Sequence, residues 1–240
     1  MENNVYTRRD IVRSSACDGH CLLSDISVLQ LVEDQITEFF GELGIDNIAV
    51  RGQYGAFWVF VKNRIELYRR PAWREAFTVS SRLGLRRAAK ACVDTVARDE
   101  AGQPLFASRV EMCLLDGQSG SIMRLDDIGM TKDTSEDEIV PPLSFERFPK
   151  PETQLLEKVR VRTSNLDMSR HTNNVEYLRF IINTMSPAAL DSEQLHGMEL
   201  HYGAQSYADE TLDIRTAPAE NGRLYVIERE GKNILTCKMW

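Results

Sequence analysis

The chain is predicted to hold two copies of one α+β unit, each an antiparallel sheet curled around a helix. Three observations lead there. The order strand, helix, several strands occurs twice. Each helical stretch carries one apolar stripe, which needs a sheet to cover it. Between the two series lies "DDIGMTKDTSEDEIVPPLSFERFPKPE", rich in charge and proline and without a sustained period, as a linker is. The units are therefore set at residues 1–126 and 156–240, with a linker over 127–155 laid along the surface.

In the first unit an extended stretch, "VYTRRDIVRS", leads to a helix in "SDISVLQLVEDQITEFFGELG". There Leu29, Val32, Ile36, Phe39, Phe40 and Leu43 recur at helical spacing. Ser24 or Asp25 can cap its start, and Gly44 is a natural stop. β-Branched and aromatic residues then mark strands in "AFWVFVKNRIELYRR", "AFTVSSRLG", "RAAKACVDTVARD" and "PLFASRVEMCLLD". The turn "DEAGQP" joins the last two as a hairpin.

The second unit repeats the order. "EKVRVRTS" sets Val159 and Val161 against Arg160 and Arg162, the alternation of a half-buried strand. A helix follows with Val175, Leu178, Ile181 or Ile182, and Met185 on one face. Strands are expected near "MELHYGAQSY", "ETLDIRTA", "RLYVIERE" and "NILTCKMW", with "ENG" and "EGKN" as hairpin turns.

Composition excludes several functions. With 42% hydrophobic and 27% charged residues, 240 residues suffice for one large domain or two of about 120. A formal charge of -7 argues against general nucleic-acid binding, which needs a dense basic surface. No run approaches the roughly 20 apolar residues of a membrane helix, and "MENNVYTRRD" has no apolar signal core, so a cytoplasmic protein without membrane insertion is expected. Cys17, Cys21, Cys92, Cys113 and Cys237 are odd in number and lack paired short spacings, so they are read as free, mostly buried thiols. No metal or cofactor is expected. One basic cluster, Arg82, Arg86, Arg87 and Lys90, preceded by Arg69, Arg70 and Arg74, either receives an acidic partner or decorates the outer faces of two strands.

The densest chemistry is in "SNLDMSRHTNNVEY". Asp167, His171 four residues later, and Asn173 and Asn174 precede the second apolar stripe. One reading is structural: Asn173 with Glu176 has the spacing of a capping box, and an Asp before a helix stabilises it by roughly 0.3 to 1 kcal/mol. The other is chemical: a carboxylate kept ionised by the helix dipole can activate water, and a nearby imidazole can orient it.

"LDMSRHTNNVEYL" resembles the hot-dog thioesterase signature in which an Asp and a His precede "xNN" and a helix. The variant of plant and bacterial acyl-ACP thioesterases is the closest to it. "GQYGAFWVFVKNRIELYRRPAWREAFTVSSRLG" is similar to the first hot-dog of that family, so the resemblance runs from about Val5 to Trp240. It implies tandem hot-dog folds, an acyl pocket in the first and catalytic residues in the second. Asp167 and His171 fall on the family's catalytic Asp and His. The intervening Asn falls on Ser169, and a family Glu-Cys pair falls on Gln205 and Ser206.

The resemblance implies hydrolysis of a fatty acyl-ACP thioester. Asp167 is then the base or nucleophile, His171 orients water or protonates the leaving sulfur, and helix-start N–H groups near residues 172–175 face the carbonyl oxygen. Ser169 offers a short hydroxyl in place of an amide, and Gln205 can position water without taking its proton. Asn173 and Trp58 are the candidate substrate contacts, although Asn173 also suits a cap and Trp58, like Trp73, suits packing. Arg82, Arg86, Arg87 and Lys90 would dock the acidic carrier, acyl carrier protein. His20 is placed opposite His171 but without an Asp four residues earlier, so the first unit is read as having no site of its own; His196 and His201 are read as surface or strand residues. The tandem fold makes an internal pseudo-dimer, leaving monomer or homodimer open. The alternatives are an acyl-CoA thioesterase and a non-catalytic acyl-binding relative; a hot-dog dehydratase lacks its His and Pro-Gly helix here.

Overall fold

The computed structural model describes residues 5–130, 143–188 and 195–240, the side chains of 85–87 excepted. It divides into two compact units, Met1–Ser144 and Phe145–Trp240.

The first unit begins with β1 (Val5–Ile11) and then α1 (Asp25–Glu42). Ser24 caps α1, its hydroxyl oxygen accepting the Ser27 N–H, and Gly44 follows in the left-handed conformation. Val28, Leu29, Leu31, Val32, Ile36, Phe39 and Phe40 are buried, and so are Glu33 and Gln35. A helix covered this far round is wrapped by its sheet. That sheet is made of β2 (Ala56–Leu67), β3 (Ala76–Arg87), β4 (Lys90–Asp99) and β5 (Pro104–Asp116), in the spatial order β1-β3-β4-β5-β2, all antiparallel.

One element was not foreseen. α2 (Asn47–Tyr54) is a two-turn helix, capped by Asp46, whose Oδ1 accepts the N–H groups of Ile48 and Ala49, and closed by left-handed Gly55.

Arg82 corrects another expectation. Strand register places Arg82 opposite Asp94, Asp94 opposite Arg109, and Arg109 opposite Arg64. Arg109 holds the Asp94 carboxylate with two bonds of 2.6 and 2.8 Å, and Arg82, 5% exposed, is buried in this row rather than solvated. Gly84 lets β3 pass the carboxylate, because a Cβ there would lie 2.9 Å from Asp94 Oδ2. The same row anchors the outgoing chain: Arg109 donates to the Leu143 carbonyl and Arg64 to that of Ser144, while Leu143 packs on Val96 and Ala107. Of the expected linker, residues 131–142 lie outside the described residues.

The second unit repeats the connectivity. β6 (Gln154–Arg160), α3 (Asn174–Asn183), β7 (Gly197–Tyr202), β8 (Thr211–Ala219), β9 (Gly222–Arg229) and β10 (Lys232–Met239) give the order β6-β8-β9-β10-β7. α3 buries Val175, Tyr177, Leu178, Phe180 and Ile181; Ile182 is only half-buried, and Met185 lies past the helix end. The β9–β10 loop has Glu230 and Gly231 both at positive φ, the tight hairpin expected of "EGKN". β6 departs from its half-buried expectation. Nearly all of it is exposed, as suits a strand with one neighbour, and the buried Val161 lies just beyond its end.

No disulfide joins the five cysteines; Cys92, Cys113 and Cys237 are buried, and burial pushes the Cys237 thiol far up. His201 lies in β7, its Nε2 2.6 Å from Glu199 Oε1 and its ring stacked on Phe148.

Candidate active site

Asp167 organises a tight loop before α3. Its N–H donates to the His171 carbonyl at 2.9 Å, its own carbonyl accepts the Arg170 N–H at 3.0 Å, and Leu166 bridges to Thr172. Arg170 closes the turn at φ 63°. Oδ1 of Asp167 accepts the N–H groups of Ser169 at 2.8 Å and His171 at 3.3 Å. Oδ2 has no donor among the described residues, and the side chain is exposed. The carboxylate thus splits its work, one oxygen holding the loop and one facing out. It meets His171 through the backbone N–H; no side-chain hydrogen bond joins the two among the described residues.

A second loop, residues 203–207, flanks the first. Ser206 is fully buried and locks the two together. Its carbonyl accepts the Thr172 N–H at 2.9 Å, and its hydroxyl lies 2.7 Å from Thr172 Oγ1 and 2.9 Å from the Tyr177 hydroxyl. Burial pushes the Tyr177 phenol up, though its bonds to Ser206 and Thr172 oppose this. Ser206 is therefore structural, and Gln205 and Ser206 lie past the end of β7 rather than in a strand. Next to it, Tyr207 packs edge-to-face with the His171 ring at 5.1 Å, and its hydroxyl donates toward Gln205 Oε1 at 3.5 Å. Tyr207 is a further candidate that the sequence did not reveal: it contacts both His171 and Gln205.

The first unit contains a matching pair of loops that share most of these backbone bonds. Asp18 N–H donates to the Leu22 carbonyl, Cys21 N–H to the Asp18 carbonyl, and Cys21 takes φ 59°. Asp18 Oδ1 accepts the N–H groups of His20 and Leu22. Asp18 is thus the counterpart of Asp167, His20 of Ser169 and Leu22 of His171. This corrects the reading that put His20 opposite His171 and found no Asp. On the flanking loop, Leu23 N–H donates to the Pro71 carbonyl as Thr172 does to Ser206. The Trp73–Glu75 turn matches too, since Arg74 and Asp209 share a positive φ and donate to Val12 and Val161 in turn. Arg70 is therefore the counterpart of Gln205, and Ala72 of Tyr207.

The two copies differ in how the carboxylate ends. Arg70 reaches Asp18 Oδ2 at 2.5 Å and lies 3.9 Å from Asp25. Burial raises the Asp18 carboxyl, but the Leu22 and His20 N–H groups and Arg70 outweigh it and hold it below its ordinary value. Asp25 goes the other way, raised by burial that Arg70 only partly offsets. The first copy is closed by an ion pair, whereas in the second Asp167 Oδ2 has no such partner among the described residues, and the same pair of loops carries His171, Tyr207 and Gln205.

At the start of α3 most donors are spent. Thr172 N–H goes to Ser206, Asn173 N–H to the Asn165 carbonyl, Val175 N–H to Asn173 Oδ1, and Glu176 N–H to the Asn173 carbonyl. Asn174 N–H is left without an acceptor among the described residues. Asn173 is thus a cap, and only its amide NH2 remains for a ligand. The expected capping box does not close, because Glu176 turns to Asn165 Nδ2 and Arg179 instead.

Trp58 is buried, edge-on to Phe40, and its indole N–H is spent on the Ile45 carbonyl, so any contact with a ligand is through its apolar ring. Trp73, expected to pack, is half exposed beside Arg74. Of the basic cluster, Arg82 is buried and Lys90 is paired with Glu111 at 2.7 Å; the side chains of Arg86 and Arg87 lie outside the described residues.

Residues 149–238 match the family model described as acyl-ACP thioesterase C-terminal domain. Among curated proteins, the oleoyl-acyl carrier protein thioesterase 2, chloroplastic, of Arabidopsis thaliana is 22% identical over 66% of this chain and 47% of its own length. The oleoyl-acyl carrier protein thioesterase, chloroplastic, of Coriandrum sativum is 24% identical over 67% and 47%. The chain thus spans about half the length of the curated relatives it matches. An acyl-ACP thioesterase structure from Bacteroides thetaiotaomicron superposes with a TM-score of 0.89 at 15% identity, covering 99% of this chain and 98% of that one. The 12:0-ACP thioesterase of Umbellularia californica superposes with a TM-score of 0.81 at 16% identity, covering 100% and 97%. These likenesses establish the tandem hot-dog fold.

Proposed function

We propose that this chain, whose second unit belongs to the acyl-ACP thioesterase family, hydrolyses a fatty acyl-ACP thioester to free fatty acid and ACP, ending chain elongation. The observation that carries the reading is the open Oδ2 of Asp167, in a loop whose copy in the first unit is closed by Arg70. A scaffold that seals one carboxylate with a guanidinium and leaves an oxygen of the other unbonded, in a loop that also carries His171, keeps that oxygen available to a water.

In this mechanism Asp167 Oδ2 takes a proton from water as the water oxygen attacks the thioester carbon. The carbonyl oxygen gains the negative charge, and the Asn174 N–H with the N-terminal dipole of α3 is the local group suited to receive it. Losing such a donor costs about 100- to 1000-fold in comparable sites. The tetrahedral adduct collapses, the C–S bond breaks, and the thiolate leaves with a proton supplied by His171 or by the acid form of Asp167. A thiolate is a good leaving group, so orientation of water is the main task of His171. Gln205, at the loop position that Arg70 holds in the first unit, supplies a neutral amide to position water without neutralising Asp167. Ser169 contributes its N–H to the loop and presents an exposed hydroxyl.

The acyl pocket is assigned to the first unit, and docking of the carrier to Arg86 and Arg87, with the buried Arg82 removed from the patch and Lys90 held by Glu111. A cytosolic location belongs to the same proposal; among the described residues no helix is long and apolar enough to cross a membrane. The test is hydrolysis of acyl-ACPs from short to long chains beside the matching acyl-CoAs, with Asp167→Asn as control. ACP turnover that collapses in the variant supports the reading; faster CoA turnover assigns the other carrier, and binding without turnover makes the chain an acyl-binding protein.

A further inference from the structure

We propose that the core of the first unit reads an oxygen atom on the acyl chain, and that Asn63 is the residue that reads it. The inference rests on the thioesterase reading above and names its substrate class. Strand alternation puts Ser81, Thr95 and Ser108 on the sheet face opposite Arg82, Asp94 and Arg109, that is, on the side that covers α1. Register sets Ser81 against Thr95 and Thr95 against Ser108, so three hydroxyls cross the sheet in one row. Ser81 and Thr95 bond at 2.7 Å, and Ser108 donates to Asn63 Oδ1 at 2.9 Å. All four side chains have zero exposure.

A sheet that only had to cover a helix would carry valine or isoleucine at these positions. Polar groups in such a place are tolerated when each is matched, and three of the four are. Asn63 is not: its Nδ2 has no acceptor among the described residues. The residue lies two positions past the β2 irregularity between Phe60 and Lys62, where Phe60 and Val61 are only half-buried. A plain hydrocarbon chain would leave that N–H unmet. A hydroxyl or oxo substituent accepts its hydrogen bond, and a site built to bond a polar group rejects the analogue without it far more sharply than it counts methylenes.

The test uses the full chain with hydroxy-, oxo- and unsubstituted fatty acids of matched length, the substituent moved along the chain, and binding read by calorimetry. Tighter binding of an oxygenated acid by about tenfold or more is expected, lost in Asn63→Leu/Ser108→Ala, which removes both bonded partners together and whose folding is checked by thermal melting. Equal or tighter binding of the plain acids throughout, no binding of either class, or a preference that survives in the folded double variant would overturn the inference. The same proteins assayed on acyl-ACPs separate the two readings. Turnover without oxygen preference removes Asn63's role alone, and oxygen-selective binding without turnover removes the hydrolase alone.

Discussion

Gln205 holds the loop position that Arg70 holds in the first unit, where Arg70 seals the Asp18 carboxylate; Asp167 has no such seal among the described residues. Gln205→Arg should carry the seal across. We expect hydrolysis to fall at least about 100-fold, the range assigned to a general base, while the melting temperature holds or rises. Activity near that of the unmodified protein would show that Asp167 does not act through its outer oxygen.

Asp167 has one oxygen in the loop and one outside it, so its two roles separate by substitution. Asp167→Asn retains an acceptor for the Ser169 and His171 N–H groups and should keep stability within about 1 kcal/mol, since Asn and Asp are similar as caps. Its kcat should drop about 100- to 10,000-fold. Asp167→Ala should lose both, measured as kcat beside denaturant unfolding.

Tyr207 touches the His171 ring and reaches toward Gln205. Tyr207→Phe keeps the ring contact and should cost only a few-fold in kcat, whereas Tyr207→Ala should cost about tenfold or more with KM little changed. The His171 ring resonance should move in Tyr207→Ala, reporting the lost neighbour independently of turnover. A KM effect alone would make Tyr207 part of the substrate channel.

The buried Ser206 hub holds the two loops of the second unit together. Ser206→Ala leaves Tyr177 and Thr172 short of a partner and should cost about 1 to 3 kcal/mol of unfolding free energy. With Asp167 still open, kcat should fall less than in Asp167→Asn; a larger fall with unchanged stability would make Ser206 a catalytic group.

The Asp18–Arg70 pair gives a pH signature. A carboxyl held below its unfolded value adds stability above that value and loses it as pH falls toward the folded one. Arg70→Ala should therefore cost about 1 to 2 kcal/mol near pH 7, for a half-buried pair. The cost should shrink below about pH 4, where the Asp18 contribution is vanishing in the unmodified protein. Asp25, raised by burial, has the opposite sign: it favours the fold below its unfolded value and loses that advantage as pH rises, so removing Arg70 deepens its penalty near neutrality.

Much of this architecture was legible because period and punctuation are local. The α1 stripe, its Ser24 cap and the β4–β5 turn all declare themselves within a few residues. α2 did not, since its eight residues bury only Val50 and show no stripe. The motif singled out Asp167 and His171 as candidates, but the pairing of His20 slipped by two positions. The two loops share a backbone rather than a sequence, and the only carboxylate common to them is one residue among unlike neighbours. Arg82 looked solvated because its carboxylate lies on another strand, and Tyr207 stayed hidden because 36 positions separate it from His171. The first needs strand register and the second the meeting of two loops distant in sequence, neither of which a single stretch of chain contains.

The two loop copies also show how little this structure asks of its candidate site. An aspartate at one position and a left-handed residue three later are enough to hold the turn, and "CDGHCL" and "LDMSRH" both comply. What sits at 168, 169, 171, 205 and 207 is mechanically almost free. The loop is a socket that stands without its plugs, so new chemistry can be fitted there by exchanging side chains alone, with the frame unaltered.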